Sequence, residues 1–359
     1  MQTDILIIGG GLAGLALADR LETEGRDWHL LEAMDRLGGR IFSPVLHGAK
    51  FDLGPAWFWP GQPRIDALIR RHELRAFEQY SEGAVCFQDQ TGAVHRNRGF
   101  ASMQGSFRIE GGMEALIVAL KNGLPCHRYD LKSPVEHLSL EDDGVRVLAN
   151  EKQYTAKQIV FAVPPRIIAE TITLHPSLPK DAETNLAQIP TWMAGQAKIV
   201  AVFDQPYWRN AGLSGDAMSH RGPMVEIHDA SPLTGRPYAL FGFVGVPASI
   251  RAEHASDLLR LARAQLVDIF GEDLSDPLEI RLQDWASVPT VATERDKEPP
   301  GGHPTYGTPH SLNNVWNGRL LFGATEFAET HGGYLEGALE AAEMIHQKLQ
   351  LSAAHARVS

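Results

Sequence analysis

The chain has 359 residues, longer than one hydrophobic core usually serves, so two interleaved domains are expected. A hydrophobic fraction of 43% suits a globular protein, and no run of about 18 apolar residues offers a transmembrane helix. The formal net charge of −11 gives no basis for binding nucleic acid or an acidic membrane surface.

Asp4-Ile5-Leu6-Ile7-Ile8 is a short apolar run of the kind a buried parallel strand needs. Gly9-Gly10-Gly11-Leu12-Ala13-Gly14 follows at once and fits G-x-G-x-x-G at Gly9, Gly11 and Gly14. Leu12 to Glu24 reads as a helix, Trp28 to Leu31 as the next strand, and Glu32 closes it. Gly9 permits the tight turn, Gly11 leaves room for a pyrophosphate, and Gly14 lets helix and strand pack closely. The helix start at Leu12 and Ala13 offers free N–H groups and partial positive charge to the phosphates. Glu32, with Ala33 beside it, stands about 20 residues beyond the turn, where a carboxylate accepts bonds from ribose hydroxyls and repels the 2′-phosphate of NADP. Arg36-Leu37-Gly38-Gly39-Arg40 then offers a second approach to a phosphate, with guanidinium groups able to grip it bidentately.

Further along, 133–138 and 144–148 read as a hairpin around Glu141-Asp142-Asp143-Gly144, with Val135 near its start. Gln158 to Val163 is a strand stopped by Pro164-Pro165. In the middle third, 198–203, 238–244 and 278–282 are strand-like and 257–270 is an amphipathic helix. Arg319 to Gly323 is a strand ending in glycine, and Leu335 to Leu349 a helix. The N-terminus enters a strand by residue 4 and leaves no room for a signal peptide, and Cys86 and Cys126 stand outside any metal-ligand spacing. A reducing cytoplasm is the expected location, with no metal and an oligomeric state left open.

The run Glu32-Ala33-Met34-Asp35-Arg36-Leu37-Gly38-Gly39-Arg40 resembles the E-A-x-x-R-x-G-G-R stretch of the flavoprotein family that holds monoamine oxidase, polyamine oxidase and L-amino-acid oxidase. The resemblance implies FAD. It extends to Asp52-Leu53-Gly54-Pro55-Ala56-Trp57, similar to the family's D-x-G-x-x-W segment beside the flavin. It extends also to Gly323-Ala324-Thr325-Glu326, followed by Gly333-Tyr334-Leu335-Glu336-Gly337-Ala338, similar to its G-T-E and G-Y-M-E-G-A block. There the helix start at Leu335 faces the pyrimidine end of the flavin, where its dipole stabilises charge that builds on reduction. Tyr334 becomes one wall of an aromatic substrate slot. Lys198, with Pro206-Tyr207-Trp208 downstream, is similar to the family lysine that holds a water against flavin N5 and aids the meeting with O₂. Trp285 and the loop 299–307 stand where the family has a tryptophan and a glycine-rich loop carrying the second wall. Tyr306 is the candidate for that wall, the alternative being a one-sided cage. The cysteines lie far from this loop, so the FAD is expected to be non-covalent, with a histidyl link through His303 as the alternative.

The resemblance thus implies an α/β fold: a Rossmann-like FAD-binding domain assembled from separated segments (1–75, 105–170 and 310–350) and a mixed-sheet α+β substrate domain (76–104 and 171–309). The stretch 71–107 reads as a short connector where monoamine oxidases carry a long helical region. The implied activity is oxidation of a small-molecule amine to an imine, then to an aldehyde or keto product, with O₂ going to H₂O₂. The alternatives are a flavin desaturase or isomerase acting on an apolar carotenoid- or porphyrinogen-like substrate, and a flavin-holding protein without turnover.

Overall fold

The computed structural model describes residues 1–298 and 300–356, with side chains through Ser352; Pro299, in the loop read above, lies outside the described residues. Two sheets organise the chain. The first has eight strands, in the order Thr173–His175, Val135–Glu141, Gly144–Ala149, Lys152–Phe161, Gln2–Ile8, Trp28–Leu31 and Tyr129–Asp130, with Leu320–Phe322 also pairing to Lys152–Phe161. Lys152–Phe161 is its spine. The first half pairs antiparallel with the hairpin strand Gly144–Ala149, and Thr155 to Phe161 run parallel to Gln2–Ile8. The last residues, Ile159 to Phe161, take Leu320–Phe322 as a parallel neighbour.

The apolar run at the N-terminus is explained by burial on both faces. Ile5 and Ile7 join one core with Leu15, Leu21, Leu339 and Ile345 from the helices Leu12–Thr23 and Leu335–Ala356. Leu6 and Ile8 join the other, with Val145, Phe161, Ile168 and Leu186. The hairpin turn is the two-residue link Asp142-Asp143, closed by the pair Glu141 and Gly144. Pro164-Pro165 ends the spine as expected, and Pro165 also opens the helix Pro165–Thr171, because its fixed φ suits a first helical position.

The second sheet runs Glu279–Asp284, Ala197–Phe203, Tyr238–Val244, Met224–Asp229, Leu213–Ser219, Ala84–Gln88 and Val94–Arg96. It is mixed: Leu213–Ser219 runs parallel to Ala84–Gln88, and the remaining pairs are antiparallel. The stretch read as a connector therefore supplies two strands to this sheet. The boundary expected at 171 also moves. Thr173–His175 still pairs with the first sheet, and the helix Lys180–Gln188 packs Ala182 and Leu186 into the first sheet's core. Among the described residues no helix is long and apolar enough to cross a membrane.

Gly14 shows how closely the first turn is packed. A Cβ there would stand 2.0 Å from the carbonyl oxygen of Gly9, a backbone atom with no rotamer to escape by. Gly14→Ala is expected to destabilise the fold by about 1–3 kcal/mol through overpacking. Gly301→Ala, where a Cβ meets open space, should stay within about 0.5 kcal/mol of wild type. Urea denaturation of the two variants beside wild type checks both values.

Candidate active site

One cavity of about 860 Å³ runs from the glycine turn of the first sheet to the face of the second. At its first end, Gly9 and Gly11 follow the strand, and the helix starts at Leu12 with no side chain capping it. The orphan N–H groups of that first turn are thus left for a ligand. A Cβ on Gly11 would meet no protein atom, because the space belongs to the cavity that Gly11, Leu12 and Ala13 line. Gly14 does not line it and packs behind.

Glu32 lines the cavity with Ala33 and Val135. Its carboxylate accepts from Gly10 N (2.7 Å) and Met34 N (2.8 Å), which orients it and leaves lone pairs over. Burial pushes its carboxyl above the usual range, with the Met34 and Gly10 N–H groups pulling the other way.

The two arginines separate. Arg40 lines the cavity, and its Nη1 donates to Glu326 Oε1 at 2.6 Å. Arg36, expected to grip a phosphate, turns back on its own loop instead. It donates to the carbonyls of Gly39 (2.8 Å) and Ile41 (3.0 Å) and lies over the Phe42 ring. The reason is the positive-φ turn at Gly38 and Gly39, whose carbonyls a guanidinium fork can satisfy. Gly39 itself lines the cavity. Glu326 is fully buried and off the cavity wall, so it acts on the site through Arg40. Gly323 also stands back, against Ile345.

Gly54, Pro55, Ala56 and Trp57 line the middle of the cavity. A Cβ on Gly54 would strike the Arg40 carbonyl oxygen at 2.0 Å, so only glycine fits where these two loops cross. Lys198 approaches from the second sheet. Only 5% of it is exposed, and its Nζ donates to the Gly54 carbonyl at 2.6 Å. The ammonium stands 4.5 Å from the Phe241 ring centroid, 4.9 Å from Phe243 and 5.4 Å from Trp57. Burial pulls its pKa down to about 7, against the opposing pull of Asp52.

Thr325, Tyr334 and Leu335 line the opposite side. Tyr334 is 38% exposed at the rim and stacks on His303, with ring centroids 4.9 Å apart and planes within 8°. Trp285 lines the cavity while its Nε1 donates to Leu53 O at 2.9 Å. Tyr306 corrects the expectation. It does not line the cavity, because its hydroxyl is committed to the Pro190 carbonyl at 2.7 Å and its ring packs against Gly332. Trp192, Phe243 and Trp57 supply aromatic walls instead.

Sequence reasoning missed Trp192, Phe243 and, above all, Glu226, which lines the same cavity. Glu226 and His228 share one face of the strand Met224–Asp229, a segment not recognised as a strand. The alternation Glu226, His228 beside the clear strand Tyr238–Val244 was the available signal.

Residues 83–345 match the family described as flavin containing amine oxidoreductase, and residues 7–72 match the NAD(P)-binding Rossmann-like domain. The chain is 21% identical to the probable flavin-containing monoamine oxidase A of Dictyostelium discoideum, over 97% of both chains. It is 27% identical to the amine oxidase [flavin-containing] B of Bos taurus, over 95% of this chain and 85% of that one. Among solved structures, putrescine oxidase bound to putrescine superposes with a TM-score of 0.81 at 18% identity, over 98% of this chain and 99% of the other. Cyclohexylamine oxidase from Brevibacterium oxydans gives 0.79 at 19%, over 97% and 99%. The chain belongs to the flavin containing amine oxidoreductase family; it is an oxidoreductase acting on amines, and its cofactor is FAD. The residues present fit that group: an uncapped helix start, open space over Gly11, a guanidinium and an acid line one cavity.

The lowered pKa of Lys198 has a stability consequence. Between about pH 7 and the unfolded value of 10.5, the unfolded chain binds a proton that the folded chain does not. The destabilisation is therefore fully present below pH 7 and is relieved as pH rises. Relative to Lys198→Met, wild type should gain up to about 1.4 kcal/mol per pH unit from pH 7 to 9. Denaturation midpoints of both proteins at pH 7, 8 and 9 measure this, and parallel curves would refute it.

Proposed function

From that membership we propose that the chain is an oxidase: a neutral small amine becomes an imine, water hydrolyses the imine to an aldehyde or keto product, and O₂ becomes H₂O₂. When bound, FAD supplies the acceptor for a hydride equivalent from the amine's α-carbon and the donor for O₂. The protein's part is to hold that group and shape what surrounds it. The first-turn N–H groups of Leu12 and Ala13 take the phosphates, with Arg40, aimed by Glu326, adding charge. The spare lone pairs of Glu32 take ribose hydroxyls. Leu335 opens a helix at the cavity, so its N-terminal dipole favours negative charge there. Trp57, Trp192, Phe243 and Tyr334 form apolar walls that disfavour an ammonium and so favour the neutral amine.

The observation that carries the oxidase reading is Lys198, a buried amine with N–H donors held against the Gly54 carbonyl in the same cavity as the glycine turn. We assign it the stabilisation of negative charge that develops on O₂. Among the described residues no cysteine or histidine lines the cavity, which supports a non-covalent FAD.

Purified protein should be yellow, release FAD on acid precipitation, and lose its flavin absorbance when mixed anaerobically with an amine from a chemically varied panel. A flavin that no amine bleaches would sink the reading. Lys198→Met should keep FAD and slow reoxidation by O₂ strongly, on the order of the 100-fold that a lost electrostatic group costs, while anaerobic reduction by amine changes less. Equal O₂ reactivity in variant and wild type would remove the role given to Lys198. Gly11→Val should fold yet carry no FAD, because its side chain fills the cavity at the turn; stoichiometric flavin in that variant would show the phosphates lie elsewhere.

A further inference from the structure

Glu226 is a charged group inside the cavity that amine oxidation itself does not require. Its strand places it with care. Phe243 pairs with Lys198 on one side and with Glu226 on the other, so the three side chains stand in a row on one face of the second sheet. Strands spaced about 4.8 Å apart put the Lys198 and Glu226 backbones about 10 Å from each other, with an aromatic ring between.

Behind Glu226 lies a line of buried polar groups. His228 Nε2 is 3.0 Å from Glu226 Oε1, and His228 Nδ1 is 2.7 Å from Asp216 Oδ1. The side chains of His228 and Asp216 are 1% and 5% exposed. An ionised carboxylate only accepts, so two carboxylates at the two ring nitrogens require both nitrogens to donate. His228 is then an imidazolium, and burial, which opposes that charge, is outweighed by Asp216 and Glu226. The ring stands edge-on to Trp57, 5.1 Å between centroids, which fixes its plane.

The charges along this line leave one negative unit at the cavity. Asp216 and His228 cancel, and Glu226 remains. Its hydrogen bond to His228, then that from Ser102, hold its carboxyl below the usual range, against burial. Both bonds fall on Oε1, at 3.0 Å from His228 and 2.5 Å from Ser102. Among the described residues no group bonds Oε2, which is left for whatever enters the cavity.

A carboxylate kept ionised stabilises an ammonium, whereas the reacting nitrogen has to be neutral to release a hydride equivalent. Glu226 therefore suits a cation elsewhere on the same molecule. We propose that Glu226, aimed by the buried His228–Asp216 pair, recognises a second, positively charged group on the substrate, such as the distal ammonium of a short diamine. This rests on the amine-oxidation reading. His228 is a positioning residue: it touches Glu226 and the core, not the cavity.

The test uses the FAD-loaded protein with 1,5-diaminopentane and n-hexylamine, amines of similar length with and without a second charge. Wild type should favour the diamine. Glu226→Gln, which keeps the shape, should raise KM for the diamine about 10-fold or more, as expected for a lost charge-assisted bond, with kcat nearly unchanged and KM for n-hexylamine unchanged or lowered. His228→Gln should shift the diamine KM in the same direction. Binding of pentane-1,5-bis(trimethylammonium), which has no nitrogen lone pair and is not oxidised, is measured in parallel by calorimetry and should weaken about 10-fold in Glu226→Gln. Equal KM changes for both amines, or binding of the bis-cation that Glu226→Gln leaves unaltered, would overturn the proposal. Wild type that oxidises neither amine but binds the bis-cation through Glu226 would sink the amine-oxidation reading and leave the cation site standing.

Discussion

The hydrogen bond from Lys198 Nζ to the Gly54 carbonyl joins the second sheet to the loop that walls the middle of the cavity. Burying an ammonium is costly, and a single carbonyl does not offset it. Three aromatic faces around the charge recover part of the cost, and the lowered pKa shows that the rest remains. A group kept at such expense requires its partner to stay in place, and the segment bearing Gly54 is fastened accordingly. Trp285 bonds the Leu53 carbonyl, Trp57 Nε1 bonds Gln79 Oε1 at 2.8 Å, and the Gly54 backbone crosses that of Arg40 without room for a side chain.

The same logic governs the other charged groups near the cavity. Several act at one remove, holding a loop that carries the wall. Asp296 Oδ1 accepts from Arg166 (2.6 Å) and from Thr191 N (3.1 Å), while its Oδ2 accepts from Thr293 N (2.9 Å). It thereby sets the turn that presents Trp192 and Met193 to the cavity. Glu336, wholly buried at the head of the last helix, accepts from Arg64 N and Ile65 N and so ties the helix Pro63–Arg71 to the helix that begins at Leu335. Positioning by buried carboxylates costs desolvation, but each of these is repaid by several donors.

The cavity has an electrical direction as well as a shape. A helix start and a guanidinium lie at one end, a lysine poised near neutrality at the bend, and an ionised carboxylate on the second sheet. A dinucleotide suits the positive end. A neutral amine carrying a distant cation suits the other, which is why Glu226 and Lys198 are set apart by Phe243 and not paired directly.

Local chemistry was enough to read the first turn and the strands and helices around it, and motif resemblance supplied the family and FAD. Gly9 to Gly14, Glu32 and Gly54 are constrained by backbone contacts and helix-end charge that act over a few residues, so short motifs carry them. Arg36 and Tyr306 lie off the cavity, contrary to expectation, for the opposite reason. Whether a guanidinium reaches a ligand or folds onto its own loop depends on carbonyls exposed by the turn at Gly38 and Gly39. Whether a tyrosine lines a cavity depends on a carbonyl at Pro190, distant in the chain. Glu226 and His228 share one strand and their alternation is a local signal, but Asp216 comes from the neighbouring strand and meets His228 only through sheet register. The sequence by itself determined the glycine turn and, through its motifs, the family and its cofactor; the tertiary structure alone decided which side chains face the cavity, because register and loop crossings bring together groups that no local pattern links.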